Sequence, residues 1–162
     1  MSENSAVKFL SSDGIEFPIS RDAIRHSATL STLLQNSETN GQVGPITVGN
    51  VSSEFFPKIV EYLEHHRKDE IFVPREHDEE SRDISSWDVR FLNLDNDTLF
   101  KLATVAHNLR IVSLVSIVCQ AIANLSKGKT VEEIRIIYGI TNDFTPEEEE
   151  LIRRENAWAD EY

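Results

Sequence analysis

The chain has 162 residues, with 16 Lys and Arg against 28 Asp and Glu, a formal net charge of −12, 40% hydrophobic residues and one cysteine. That length fits one domain, or one domain with an extension, and a domain of this size buries about 70% of its unfolded surface without cross-links. The acidity excludes nucleic acid and anionic membrane surfaces as natural partners, because both bind through clustered Lys and Arg.

Cys119 alone forms no intrachain disulfide, which fits a reducing compartment. Residues 1–9 carry no apolar signal core, and no apolar run approaches the roughly 18 residues of a membrane span, so neither secretion nor membrane insertion is expected. The sequons at Asn50, Asn96 and Asn124 are then read as chance matches.

Residues 6–19 read as a hairpin. Val7 and Phe9 alternate with polar or opposite-face residues, Ser12-Asp13-Gly14 supplies the turn, and Ile15, Phe17 and Ile19 resume the alternation. Residues 21–35 read as one or two short helices around Ala23, Ile24, Ala28, Leu30, Leu33 and Leu34. Asn36–Gly44 is polar and contains glycine, hence a loop, and Ile46-Thr47-Val48 reads as a third short strand. Ser52 or Ser53 is expected to cap a helix through about His66, with Phe56, Ile59, Val60 and Leu63 at i, i+3, i+4 and i+7.

Residues 67–86 are charged and poor in apolar groups, which predicts a mobile loop or insertion. A short helix or turn over Trp87–Leu92 follows. Asp95 or Asp97 then caps a helix carrying Leu99, Leu102, Ala103 and Ala106 to about Leu109. Residues 111–126 form the most apolar helix, with Ile111, Leu114, Val115, Val118, Cys119, Ile122 and Leu125, and Gly128 suits its C-terminal cap.

The last third is punctuated clearly. Thr130 and Glu133 stand at capping-box spacing, as do Thr145 and Glu148, and Pro146 occupies a first helical position. The two short helices so marked hold Val131, Ile134, Ile137, Tyr138, Ile140, Phe144 and Trp158 in an acidic setting. Helices this short are marginal alone, so something outside them should cover those side chains. That points to a binding module rather than an enzyme.

No catalytic or metal-ligating pattern competes with it. Gly128-Lys129-Thr130 lacks both the first glycine and the preceding strand of a phosphate loop. Asp95-Asn96-Asp97 leads to Leu99 and Phe100 where a calcium loop needs a ligand and a glycine, so capping accounts for it. Glu61, His65 and His66 at a helix end do not make up a zinc ligand set, and Cys119 on an apolar face reads as a small buried hydrophobe. Glu147–Glu150 favours a helix N-terminus, and it also offers an acidic lip to a basic partner. A small hydrolase or metal enzyme is therefore the weakest reading, and no cofactor is expected.

Several stretches together resemble the S-phase kinase-associated adaptor family, the small subunit that joins F-box proteins to the cullin of SCF ubiquitin ligases. They are Val7–Gly14, Ile59–His66, Trp87-Asp88, Leu99–Leu102 and almost everything from Ala123 to Trp158, above all KGKT, EEIR, NDFT-PEEEE and the EN-W ending. The match runs over roughly residues 6–162. The resemblance implies an α+β, predominantly helical BTB/POZ fold: a small three-stranded sheet packed by helices over 1–126, with flexible loops near 36–45 and 67–86. A C-terminal F-box-binding helical extension over 127–162 completes it. The elongin-type relative lacks these final helices.

Carried over residue by residue, the F-box-facing set is Ile140, Asn142, Phe144, Glu149, Arg153, Asn156 and Trp158, with Ile134 and Ile137 behind them. Ile134 and Ile137 are read first as core. Phe144 is either a contact or a hydrophobic staple one residue ahead of its cap. Asn142 is either a turn residue or a donor to the partner. Trp158 is the leading interface residue, since tryptophan dominates binding hot spots.

The cullin-facing stretch departs from the family. Where the family shows Ala-Ala-Asn-Tyr-Leu-Asp-Ile, this chain has Val105-Ala106-His107-Asn108-Leu109-Arg110-Ile111, followed by Val112 and Ser113 in place of lysine and glycine. The Asn-Tyr pair becomes His107-Asn108 and the acid becomes Arg110, changes that imply a divergent paralogue with weakened cullin binding or a compensating cullin. The function implied is a non-enzymatic adaptor in an SCF-type cullin-RING E3 ubiquitin ligase, cytoplasmic and nuclear, bridging F-box proteins to the cullin for ubiquitin-dependent protein degradation. The alternative is a BTB-fold scaffold that binds F-box-like partners, or itself as a homodimer, without cullin.

Overall fold

A computed structural model of the chain describes residues 6–74 and 84–158. Part of the 67–86 segment expected to be a loop, residues 75–83, lies outside the described residues. The chain divides into two compact units, residues 1–124 and 125–162, while the sequence reading placed its division after residue 126.

In the first unit, β1 (Val7–Leu10) and β2 (Glu16–Ile19) pair antiparallel, and β3 (Ile46–Thr47) joins β1 in parallel, giving the order β2-β1-β3. The register sets Phe9 opposite Phe17 and Val7 opposite Ile19, which puts the apolar side chains on one face. On the other face Lys8 reaches Glu16 at 3.0 Å. The hairpin turns at Gly14, whose φ of 82° is the left-handed region that glycine enters without a Cβ penalty. Phe17 stacks on Phe56 with ring centroids 4.7 Å apart, docking the sheet against α3 (Phe56–His65).

The segment read as one or two helices is two, α1 (Arg21–Ile24) and α2 (Ala28–Thr39). Ser20 and Ser27 cap them through the amides of Ala23 and Leu30. Residues 36–39, expected in a loop, are the last turn of α2. Thr39 bonds back to the Gln35 carbonyl, and Glu38 pairs with Arg21 at 2.8 Å, a tertiary contact that sequence spacing cannot show. The stop is Asn40-Gly41, with Gly41 at φ 64°.

α3 also starts differently from expectation. Neither Ser52 nor Ser53 caps it; its N-cap is Phe55, with no side-chain bond, and Pro57 stands in the first turn. Ser53 instead gives its backbone amide (2.8 Å) and its hydroxyl to the Asp13 carboxylate in the hairpin turn. Those bonds hold the Asp13 carboxyl down at about 2, with Ser53 the largest cause.

α4 (Ser86–Phe91) is clasped to the end of α3 by His66, which bridges Asp69 at 2.6 Å and the buried Asp88 at 3.0 Å. Asp88 also accepts from Ser85, the N-cap of α4. His65 lies flat on Trp87, with centroids 3.8 Å apart. The Glu61, His65 and His66 group considered for metal thus has its two histidines engaged, one with carboxylates and one with an indole.

α5 (Asn96–Asn108) and α6 (Val112–Ser126) complete the first unit, which takes α6 through Asn124. Asp95 caps α5 through the amide and hydroxyl of Thr98, at 3.0 and 2.7 Å. The core gathers Phe9, Ile19, Leu30, Phe56, Ile59, Leu63, Leu102, Leu109, Ile111 and Leu114, all fully buried. Each such side chain contributes about 1.5–3 kcal/mol relative to exposure. Cys119 is exposed rather than buried. α6 buries Leu114, Ile117 and Val118, and Cys119, one residue on, is turned about 100° away from Val118.

In the second unit, α7 (Val131–Tyr138) and α8 (Pro146–Glu155) bury no residue fully.

Candidate functional site

Two surfaces carry the residues singled out by sequence, one in each unit. The first is built on α7, α8 and the segment between them. Both capping boxes are formed. Glu133 N donates to Thr130 Oγ1 at 3.2 Å and Thr130 N to Glu133 Oε2 at 2.8 Å; the corresponding bonds between Thr145 and Glu148 are 3.3 and 2.8 Å. The Thr130 amide, with Lys129 next in weight, holds the Glu133 carboxyl below its ordinary value. Gly139, in the left-handed region at φ 64°, ends α7 and lets Ile140 N reach back to the Arg135 carbonyl at 2.8 Å. The Tyr138 hydroxyl lies 2.6 Å from that of Ser126.

On this frame the apolar residues stand outward. Ile140 is 54% exposed, Phe144 48% and Trp158 66%. Phe144 has no apolar staple partner at the fourth helical position, since Glu149 stands there. Ile134 and Ile137 are half-buried, neither sealed in a core nor open. Arg153 and Asn156 are exposed; the Asn156 side chain donates to the Ile152 carbonyl at 2.8 Å, closing the end of α8.

Asn142 and Glu149 are engaged within the chain. Asn142 accepts from Phe144 N at 3.2 Å and donates to Glu149 Oε1 at 3.1 Å, and the same oxygen receives Arg135 Nη1 at 3.1 Å. Of the two readings open for Asn142, the turn role is occupied.

Sequence reading passed over Ile136, which is 81% exposed, and Leu151 and Ile152, both exposed. Leu151 and Ile152 are adjacent, hence about 100° apart on the helix, and make no stripe at i, i+3 or i+4. Ile136 stands one position from Ile137 and was masked by it. Arg135 was passed over too. Its partner lies 14 residues on, beyond any spacing rule for a single helix.

The second surface is the corner between α5 and α6. His107, Asn108 and Arg110 are all exposed there. Their backbone is anchored from beneath by α2. Ser27 Oγ donates to the Leu109 carbonyl at 2.6 Å and Thr29 Oγ1 to that of Asn108 at 3.0 Å, while the amides of Ala28 and Thr29 face Arg110 and Leu109 carbonyls at 3.4 Å. Ile111 N bonds to the Ala106 carbonyl at 3.0 Å, closing α5 with Arg110 at φ 51°. The three side chains therefore project from a fixed backbone.

The first surface offers apolar area beside hydrogen-bonding groups and charge, and the second offers hydrogen-bonding groups and charge, which is the chemistry of binding. Among the described residues no group of three or more His, Cys, Asp or Glu could hold a metal ion.

Comparison with known proteins agrees with this architecture. Residues 5–68 match the Skp1 family, tetramerisation domain, and residues 112–159 match the Skp1 family, dimerisation domain. The first match covers the three-stranded sheet and α1–α3, the BTB/POZ part of an α+β, mainly helical fold. A Skp1-related protein of Caenorhabditis elegans is 43% identical over 161 residues, 96% of this chain and 92% of the relative. Proteins named E3 ubiquitin ligase complex SCF subunit sconC are similar as well. That of Aspergillus flavus is 38% identical over 155 residues (94% of this chain, 95% of the relative), and that of Arthroderma benhamiae 39% over 159 residues (96% and 95%). With both family domains matched and such identity along nearly its whole length, the chain belongs to the Skp1 family.

Proposed function

We propose that the chain is a non-enzymatic adaptor subunit of an SCF-type cullin-RING E3 ubiquitin ligase, acting in cytoplasm and nucleus. The observation that carries this reading is the outward stance of Ile140 and Phe144, between two short capped helices with acidic first turns, and of Trp158, just past the second. Such a surface gains most of its binding energy when a second polypeptide covers its aromatic anchors. The names of the fungal relatives, SCF subunits of a ubiquitin ligase, support the assignment. An adaptor needs no reactive group: it holds a substrate receptor at a fixed distance from the catalytic machinery and so raises their effective concentration.

In this reading the second unit receives the F-box protein and the α5–α6 corner faces the cullin. Cullin affinity is reduced by His107, Asn108 and Arg110, or restored by a cullin of matching surface. The same corner favours a second reading, a scaffold that binds F-box proteins without cullin.

Two measurements test the proposal. Calorimetry of the full chain with a purified F-box domain should show tight binding, weakened by about 2 kcal/mol or more in Trp158→Ala. Unchanged affinity in a folded variant would remove Trp158 from the interface. Co-purification then separates the readings. Cullin recovered with the F-box protein supports the ligase adaptor, and F-box protein without cullin supports the scaffold. The double substitution His107→Asn with Asn108→Tyr should raise cullin recovery.

A further inference from the structure

The segment between α7 and α8 has no helix or strand of its own, yet it carries both Ile140 and Phe144. A free segment of this kind would have to be ordered at the moment of binding, at the expense of affinity. Three side chains hold it instead. Glu149 Oε1 receives two donors, Arg135 Nη1 from α7 and Asn142 Nδ2 from the segment itself, each at 3.1 Å. Asn142 Oδ1 in turn takes the amide of Phe144. Arg135 contributes twice, since its carbonyl also receives Ile140 N at 2.8 Å.

The Arg135 side chain is only 17% exposed, against 44% for Lys129 in its pair with Glu133. Solvent and salt therefore screen the Arg135–Glu149 pair less than the Lys129–Glu133 pair. Its geometry ties a helix, the segment and the next helix at one oxygen atom.

We propose that Arg135, Glu149 and Asn142 form a positioning node that sets Ile140 and Phe144 in their binding arrangement before a partner arrives. The identity of that partner as an F-box protein rests on the function proposed above. Asn142 and Glu149 then serve recognition through the residues they hold, Phe144 through its amide and Ile140 through the Arg135 that Glu149 fixes.

The test uses the full chain as Arg135→Met, Glu149→Ala, their double variant and Arg135→Lys, each checked for intact helix content. Affinity for a purified F-box domain is read by calorimetry, and amide hydrogen exchange of the free protein by NMR. Each of the first two variants should weaken binding about tenfold, and the double variant no more than either alone, as groups acting as one unit do. Phe144 N–H exchange should quicken by about the same factor in the free protein, and Arg135→Lys, which keeps the charge, should retain most of the affinity.

Losses that multiply in the double variant with unchanged exchange would mean direct partner contacts and overturn the inference. So would unchanged affinity, whether or not exchange quickens. A wild-type chain that binds no F-box domain would remove the adaptor reading and the recognition role of the node together; a wild-type chain that binds, beside variants that bind equally well, would remove the node's role alone.

Discussion

His26 shows how a single buried side chain makes stability depend on pH. It is 8% exposed, and its Nε2 has no hydrogen-bond partner among the described residues. Burial pushes its pKa below the ordinary 6.5, and the Arg25 charge adds to that; a hydrogen bond with the Arg67 backbone and the charge of Asp69 pull the other way, while His66 adds to the lowering. The unfolded chain therefore binds a proton on His26 that the folded chain refuses. This contribution to stability is complete above pH 6.5 and is lost as pH falls from 6.5 toward the folded pKa. His26→Asn keeps a polar donor near the Arg67 backbone and removes the titrating ring. Urea midpoints should then show wild type ahead of the variant by a margin at pH 7.5 that shrinks at pH 5.5. A margin independent of pH would show that His26 does not titrate in this range.

Arg110 makes the opposite point, about the backbone. At φ 51° it sits where glycine or asparagine is favoured, directly after α5. Nothing in Leu109-Arg110-Ile111 marks a left-handed residue, so the strain was invisible in the sequence. Arg110→Asn should stabilise the chain by about 0.5–1 kcal/mol, because asparagine enters this region more readily than arginine. Thermal unfolding would read it as a rise in Tm, and a fall would show that the Arg110 side chain makes a compensating contact.

At the level of elements, legibility followed from how local the determining contact was. The two capping boxes, the Asp95 cap and the hairpin turn at Gly14 are each settled within a few residues, and each formed as expected. Where a distant residue decided, the sequence misled. Ser53 looked like a cap and became a ligand of Asp13, 40 residues away. The tail of α2 looked like loop and was carried into helix with Glu38 paired to Arg21. The surface residues divide in the same way. The outward placement of Ile140, Phe144 and Trp158 followed from their standing beside short acidic helices, between them or just past the second, which have too little core of their own to cover them. The engagement of Asn142 and Glu149 with Arg135 did not, because it joins two helices across an irregular segment and no periodicity reports it.

For the whole molecule, exposed apolar area and net charge act against each other. Ile136, Ile140, Phe144 and Trp158 favour association of the free chain with a second copy, since such residues gain free energy by leaving water. A formal charge of −12 on each copy opposes it. Salt decides the balance: the screening length is about 30 Å at 0.01 M ionic strength, about 10 Å at 0.1 M and about 3 Å at 1 M. Light scattering should therefore find monomers at low salt and low concentration, and dimers growing with both. Hydrophobic attachment would thus strengthen with salt, whereas a dimer held by ion pairs would weaken. Adding a purified F-box domain should return the population to one-to-one complexes if both use the same surface, and Trp158→Ala should lower dimer and F-box affinity together. A strict monomer at high concentration and high salt would mean that the surface, though open to water, does not fit itself. Dimers that persist under saturating F-box domain would place self-association elsewhere on the molecule.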